Sequence, residues 1–106
     1  MATQPDDTPL LNLLAAMTAS SLEASNLDEK TLMLVRIGAL VAVDAPPASY
    51  MMNLGAAGEA GVTADQVQGV LAAVAPIVGT TRVVAATGNL ARALGIGAAI
   101  GELADE

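Results

Sequence analysis

Cysteine and histidine are both absent from this chain of 106 residues, as are phenylalanine and tryptophan, and Tyr50 is its single aromatic. Without a thiol there is no disulfide framework and no thiolate nucleophile, and without thiol or imidazole there is no conventional zinc site. No metal or other cofactor is expected. The missing cysteines leave a reducing cytoplasm as the default compartment. Cations are scarce too: Lys30, Arg36, Arg82 and Arg92 stand against eleven carboxylates, for a formal net charge of −7. Nucleic acids and anionic membrane surfaces attract clustered Lys and Arg, and four scattered cations on an acidic chain do not supply them. Long apolar runs are lacking as well. The longest uncharged stretch, residues 66–81, contains two glutamines, two glycines and Pro76 and falls short of the ~20 apolar residues of a membrane span.

What is present is small and apolar. Hydrophobic residues make up 54% of the chain and the mean hydropathy is +0.58, supplied chiefly by Ala, Val and Leu. Only 14% of the residues are charged, too few to cover the large surface of so small a domain, so part of the apolar surface is expected to meet another copy of the chain. One domain is expected over residues 9–101. Residues 1–8 read as a loose acidic tail without the basic and apolar regions of a secretory signal, and residues 102–106 read as a second acidic tail.

The periodicity is helical throughout, with no alternation of the strand type, and predicts an all-α chain of five to six helices. Thr8 and Pro9 supply a cap and a first-turn proline for a helix over residues 9–24, striped by Leu10, Leu11, Leu13, Leu14, Met17 and Leu22. Asp28 and Glu29 open a second, densely apolar helix to about residue 43, which should be central; Asp44-Ala45-Pro46-Pro47 stops it and starts a third over residues 47–60. Gly61 fits a left-handed C-cap, and Thr63 with Gln66 forms a capping box for a fourth helix. Gly79-Thr80-Thr81 marks the next break, followed by a helix over residues 81–94 and a short last helix among Gly95, Gly97 and Gly101.

The LDEKT opening at residues 27–31, LVRIGALVAVDAPP at 34–47, the turn Ala60-Gly61-Val62-Thr63 and the break from Pro76 to Gly79 belong to a stretch, residues 27–86, that resembles the carboxymuconolactone decarboxylase family, which includes the AhpD-like alkylhydroperoxidases. The resemblance implies an antiparallel helical hairpin at the core and assembly as homotrimers or homohexamers with pockets near subunit contacts. It also implies a relay of a glutamate on the second helix and a histidine on the third, with a Cys-x-x-Cys pair in the peroxidase branch. Here the glutamate position falls at Met33 and the histidine position at Asn53, while the cysteine positions fall near Pro46 and Ser49. In the decarboxylase branch a glutamate often stands at the position of Ser49 and an aromatic at that of Ile77. Met cannot carry a proton and neutral Asn is no general base, so the scaffold is kept without its acid–base agents. Cysteine-dependent peroxidase activity is excluded.

The residual pocket is expected around Met33, Arg36, Ser49, Tyr50, Met52 and Asn53. Asn53 has Ser49 four and Tyr50 three residues before it, which gathers an amide, a hydroxyl and a phenol on one side of a helix, either to receive a ligand or to hydrogen-bond across helices. Met33, Met51 and Met52 line a cavity or fill the core. Arg36 pairs with a carboxylate such as Glu59 or Asp44, reaches solvent along its stem, or anchors a substrate carboxylate. Arg82 and Arg92 form a solvated face or an intersubunit pair, and Gly55 and Gly58 are helix-packing sites. These features lead to a non-redox oligomer with a structural role or a site for a small apolar or anionic molecule. Two alternatives stand beside it: a lyase or hydrolase using Arg36, Ser49, Tyr50 and Asn53, and a partner subunit of a catalytically complete paralogue.

Overall fold

The computed structural model describes the backbone of residues 8–105 and the side chains as far as Leu94. Five helices follow one another: α1 (Pro9–Ala24), α2 (Glu29–Ala42), α3 (Pro47–Glu59), α4 (Ala64–Val78) and α5 (Thr80–Asp105). No strand occurs among the described residues. Helix α5 is a single element, so the short last helix expected around Gly95, Gly97 and Gly101 is its continuation, and residues 102–105, read as a tail, are its last turn. Those glycines weaken helix propensity without forcing a break. The tail expected over residues 1–8 lies, but for Thr8, outside the described residues.

The joints show how the sequence sets the helix ends. Thr8 precedes α1, but its hydroxyl makes no capping bond; Pro9 alone supplies the expected start. Asp28 is likewise the N-cap of α2 without a capping hydrogen bond from its side chain. Between α2 and α3, Asp44 takes a left-handed backbone with φ of 57°. Its amide donates to the Val41 carbonyl at 3.2 Å and the Ala45 amide to that of Leu40 at 3.0 Å, the pair of bonds that closes a helix in the Schellman manner. Gly61 closes α3 the same way: its amide donates to Gly58 and the Val62 amide to Ala57. The capping box of α4 is complete, with the Gln66 amide donating to Thr63 Oγ1 at 3.2 Å and the Thr63 amide to Gln66 Oε1 at 2.9 Å. Gly79 alone separates α4 from α5, at φ 91° and ψ 158°.

Helix α2 is central, as its apolar sequence predicts, and packs against α3, α4 and α5. Its buried side chains, Leu32, Met33, Ile37 and Val41, feed two clusters. One joins Val41 and Ala45 to Tyr50, Ala86, Leu90 and Ala93, and the other joins Leu32, Met33 and Ile37 to Ala57; Val67 of α4 packs against both. The close approach of α2 to α4 is made at Gly38, where a Cβ would meet Val74 Cγ1 at 3.4 Å and Val70 Cγ1 at 3.5 Å. Gly55 and Gly58, expected as packing sites, are not: a Cβ at either would meet nothing within 4 Å.

Helix α1 stands apart. None of its residues is buried, and among the described residues it packs extensively on no other helix. Among the same residues no helix is long and apolar enough to cross a membrane.

Candidate functional site

The α2–α3 turn places the six candidate residues in three different settings. Met33 is buried in the second core cluster, and Met52 on α3 points outward, 74% exposed. Met51 is partly buried against the first cluster. Ser49, Tyr50 and Asn53 do share a stretch of α3, yet Asn53 Nδ2 donates to the Ser49 carbonyl of its own helix at 2.8 Å. One amide proton is thereby spent within the helix instead of across helices or on a pocket.

Tyr50 turns inward and is 1% exposed. Among the described residues its hydroxyl has no hydrogen-bond partner. Burial pushes the phenol above its ordinary pKa of 10, and the negative charge of Asp44 adds to the effect, because both disfavour the phenolate. A phenol held protonated in this way is no base.

Arg36 meets neither Glu59 nor Asp44: among the described residues it has no ion-pair partner, and Nη2 donates to Ser21 Oγ of α1 at 3.1 Å. The other two arginines serve the turn. Arg82 Nη1 donates to the Ala42 carbonyl at 2.7 Å, placing a cation on the negative end of α2. Asn89 Nδ2 donates to the Ala45 carbonyl at 3.2 Å, and Arg92 Nη1 donates to Asn89 Oδ1 at 3.1 Å. Helix α5 thus clamps the α2–α3 turn through Arg82 and Asn89. Sequence reasoning missed Asn89, since nothing in the local pattern of α5 points across more than forty residues to a carbonyl in a turn.

The concave site lies elsewhere. Helices α3, α4 and α5 enclose a cleft of about 370 Å³ whose walls include Leu54, Ala57, Val67, Leu71, Leu90 and Leu94. Thr63, Gln68 and Thr87 are its polar members, and among the described residues no ionisable side chain lines it. Thr87 Oγ1 donates to the Val83 carbonyl, and Thr63 Oγ1 is committed to the α4 cap. The six expected residues do not line this cleft, but two stand close in the packing: Tyr50 shares a core cluster with Leu90, and Met33 shares one with Ala57. The signal that could have found the cleft is the small-residue face of α3 at Ala57 and Gly58, opposite the apolar spacing Val67, Leu71 of α4.

Such a cleft can desolvate an apolar molecule, and among the described residues it has no group to move a proton to or from it. Among the described residues, no cluster of carboxylates could hold a metal ion. No curated protein and no solved structure gives a significant match to the chain. The carboxymuconolactone decarboxylase family model, in contrast, matches residues 9–99, which takes in α1 to α4 and α5 as far as residue 99. On that match, together with five helices and a central α2 hairpin, the chain belongs to the carboxymuconolactone decarboxylase family.

Proposed function

We propose that the chain is a non-redox, self-associating member of its family, a homotrimer or homohexamer of the cytoplasm, that binds a small apolar molecule in the α3–α4–α5 cleft. The observation that carries the reading is the cleft itself: about 370 Å³ of space walled by aliphatic side chains, with no ionisable group at its surface among the described residues. Apolar burial supplies affinity in such a site, and the few polar groups fix orientation. The relay positions support the non-catalytic part. Met33 is packed in the core and the Asn53 amide is engaged within α3, so neither position offers a group that could accept a proton. Met33 and Tyr50 then form part of the packing behind the cleft, and Arg36 serves the α1 contact.

The test is titration with N-phenyl-1-naphthylamine, a neutral apolar probe whose fluorescence is read against a chain that contains no tryptophan. Saturable binding is expected in the wild type. Ala91→Phe puts a ring into the cleft from an exposed lining position and should weaken that binding at least tenfold while leaving the helical circular dichroism unchanged. Absence of saturable binding, or equal binding by the filled variant, would overturn the assignment of the cleft.

A further inference from the structure

The cleft among α3, α4 and α5 has a chemistry narrower than its apolar walls alone imply. Along α5 the lining positions Thr87, Leu90, Ala91 and Leu94 recur at helical spacing and form one stripe. From first to last they span about 10 Å of the helix axis. A volume of about 370 Å³ holds roughly a dozen non-hydrogen atoms at the ~30 Å³ of a water-sized group. The space suits an elongated apolar body with room for one small head.

The polar inventory of the walls is short. Thr87 Oγ1 gives its proton to the Val83 carbonyl at 3.0 Å, and Thr63 Oγ1 accepts the Gln66 amide at 3.2 Å. Gln68 differs from both: among the described residues its carboxamide is the uncommitted polar group of the lining, with two N–H donors and a carbonyl acceptor. The side chain is exposed, which places it at the rim of the cleft and not on its floor. A head that both gives and takes a hydrogen bond, such as a hydroxyl or a primary amide, matches it.

Charge narrows the class further. No cation lines the cleft among the described residues. The ionisable residues next in sequence to lining ones are Glu59 beside Gly58, Asp65 beside Ala64 and Arg92 beside Ala91, and Arg92 Nη1 donates to Asn89 Oδ1. A carboxylate brought here would leave water without a cationic partner, near two like charges and on a chain of net charge −7. An ammonium group is strongly hydrated, and the lining holds no carboxylate to replace that water.

We infer that the cleft selects an uncharged amphiphile, an elongated apolar body ending in one hydroxyl or amide head, and that Gln68 holds the head at the rim. The inference rests on the cleft reading of the proposed function and adds the class of molecule and the residue that recognises it.

Competition against N-phenyl-1-naphthylamine on the full chain at neutral pH tests this, with decanol, decanoate and decylammonium as competitors that share one apolar body. Decanol is expected to displace the probe from the wild type at a concentration at least tenfold lower than either ion. Gln68→Lys puts a cation at the rim and should admit decanoate at least tenfold better, while decanol changes by less than about threefold. Because Gln68 is exposed, helical circular dichroism should persist in that variant. Displacement by either ion as effective as by decanol would overturn the uncharged class. Unchanged decanoate binding in the folded Gln68→Lys protein would overturn Gln68 as the rim contact. Both results leave the cleft itself standing. A wild type that binds no probe, or decanol binding that persists undiminished in Ala91→Phe, would overturn the cleft reading and this inference with it.

Discussion

Tyr50 carries the most costly atom of the core. A hydroxyl buried without a partner costs about 1–3 kcal/mol, and the Tyr50 hydroxyl has none among the described residues. Tyr50→Phe should therefore leave the thermal midpoint unchanged or raise it. A loss of more than about 1 kcal/mol would mean that the hydroxyl finds a partner in the assembled protein. As the single tyrosine in a chain without tryptophan, Tyr50 can be titrated alone by its near-ultraviolet absorbance. The midpoint should lie above the ordinary value of 10, and Asp44→Asn should lower it only part of the way, because burial is the larger cause. The linkage has a definite sign. Above pH 10 the unfolded chain has lost the phenolic proton while the folded chain keeps it, so this contribution to stability is complete below pH 10 and is lost as pH rises through the raised value. Tyr50→Phe should remove that slope from the dependence of denaturant midpoint on pH. Sequence spacing put Tyr50 near Ser49 and Asn53 on α3, and so it is. Spacing could not tell that the ring faces the core while the Asn53 amide bonds back to its own helix.

At the scale of elements the joints carry the sharpest expectations. Gly79 has φ 91° and ψ 158°, a region that side chains almost never enter, so Gly79→Ala should cost about 1–3 kcal/mol in chemical denaturation. Thr63→Ala removes half of a complete capping box and should cost about 1 kcal/mol. Gly38→Ala goes the other way. The new methyl group would sit 3.4 Å from Val74 Cγ1, an ordinary contact, and a helix-interior glycine gives up about 1 kcal/mol of propensity relative to alanine. A net gain in thermal midpoint is expected, whereas Gly38→Leu should force α2 and α4 apart and lower it. The boundaries were legible where a cap has local chemistry: Pro9, Pro47, Gly61 and the Thr63–Gln66 box all stand at the helix ends they predict. The α4–α5 break was legible but overdrawn, since Gly79 suffices and Thr80 is already helical.

For the molecule as a whole, the exposed α1 stripe and the small core point the same way. The buried hydrophobic residues among those described are few and half of them are alanine or valine: Val41, Ala45, Ala57, Ala86 and Ala93. Such a core contributes little per residue, and burial between copies would supply the remainder. The thermal midpoint of the full chain should then rise with protein concentration, since a multimer gains stability by mass action. A midpoint constant over a hundredfold range would mean that the single chain is sufficient.

The sequence by itself determined the helical class, the positions of most helix ends, the central place of α2 and the absence of thiol and imidazole chemistry. Each of these is a local or compositional property: a periodicity, a cap, a missing residue type. The family resemblance was legible for the same reason, because its prolines, its capping turn and its apolar α2 are written in consecutive residues. Only the tertiary structure decided that Arg36 reaches Ser21 instead of a carboxylate, that Asn89 and Arg82 hold the α2–α3 turn, and that the cleft opens among α3, α4 and α5. Those contacts join residues far apart in the chain, and which of several partners a side chain meets is fixed by the packing of helices around Gly38 and Val67, which no single segment encodes.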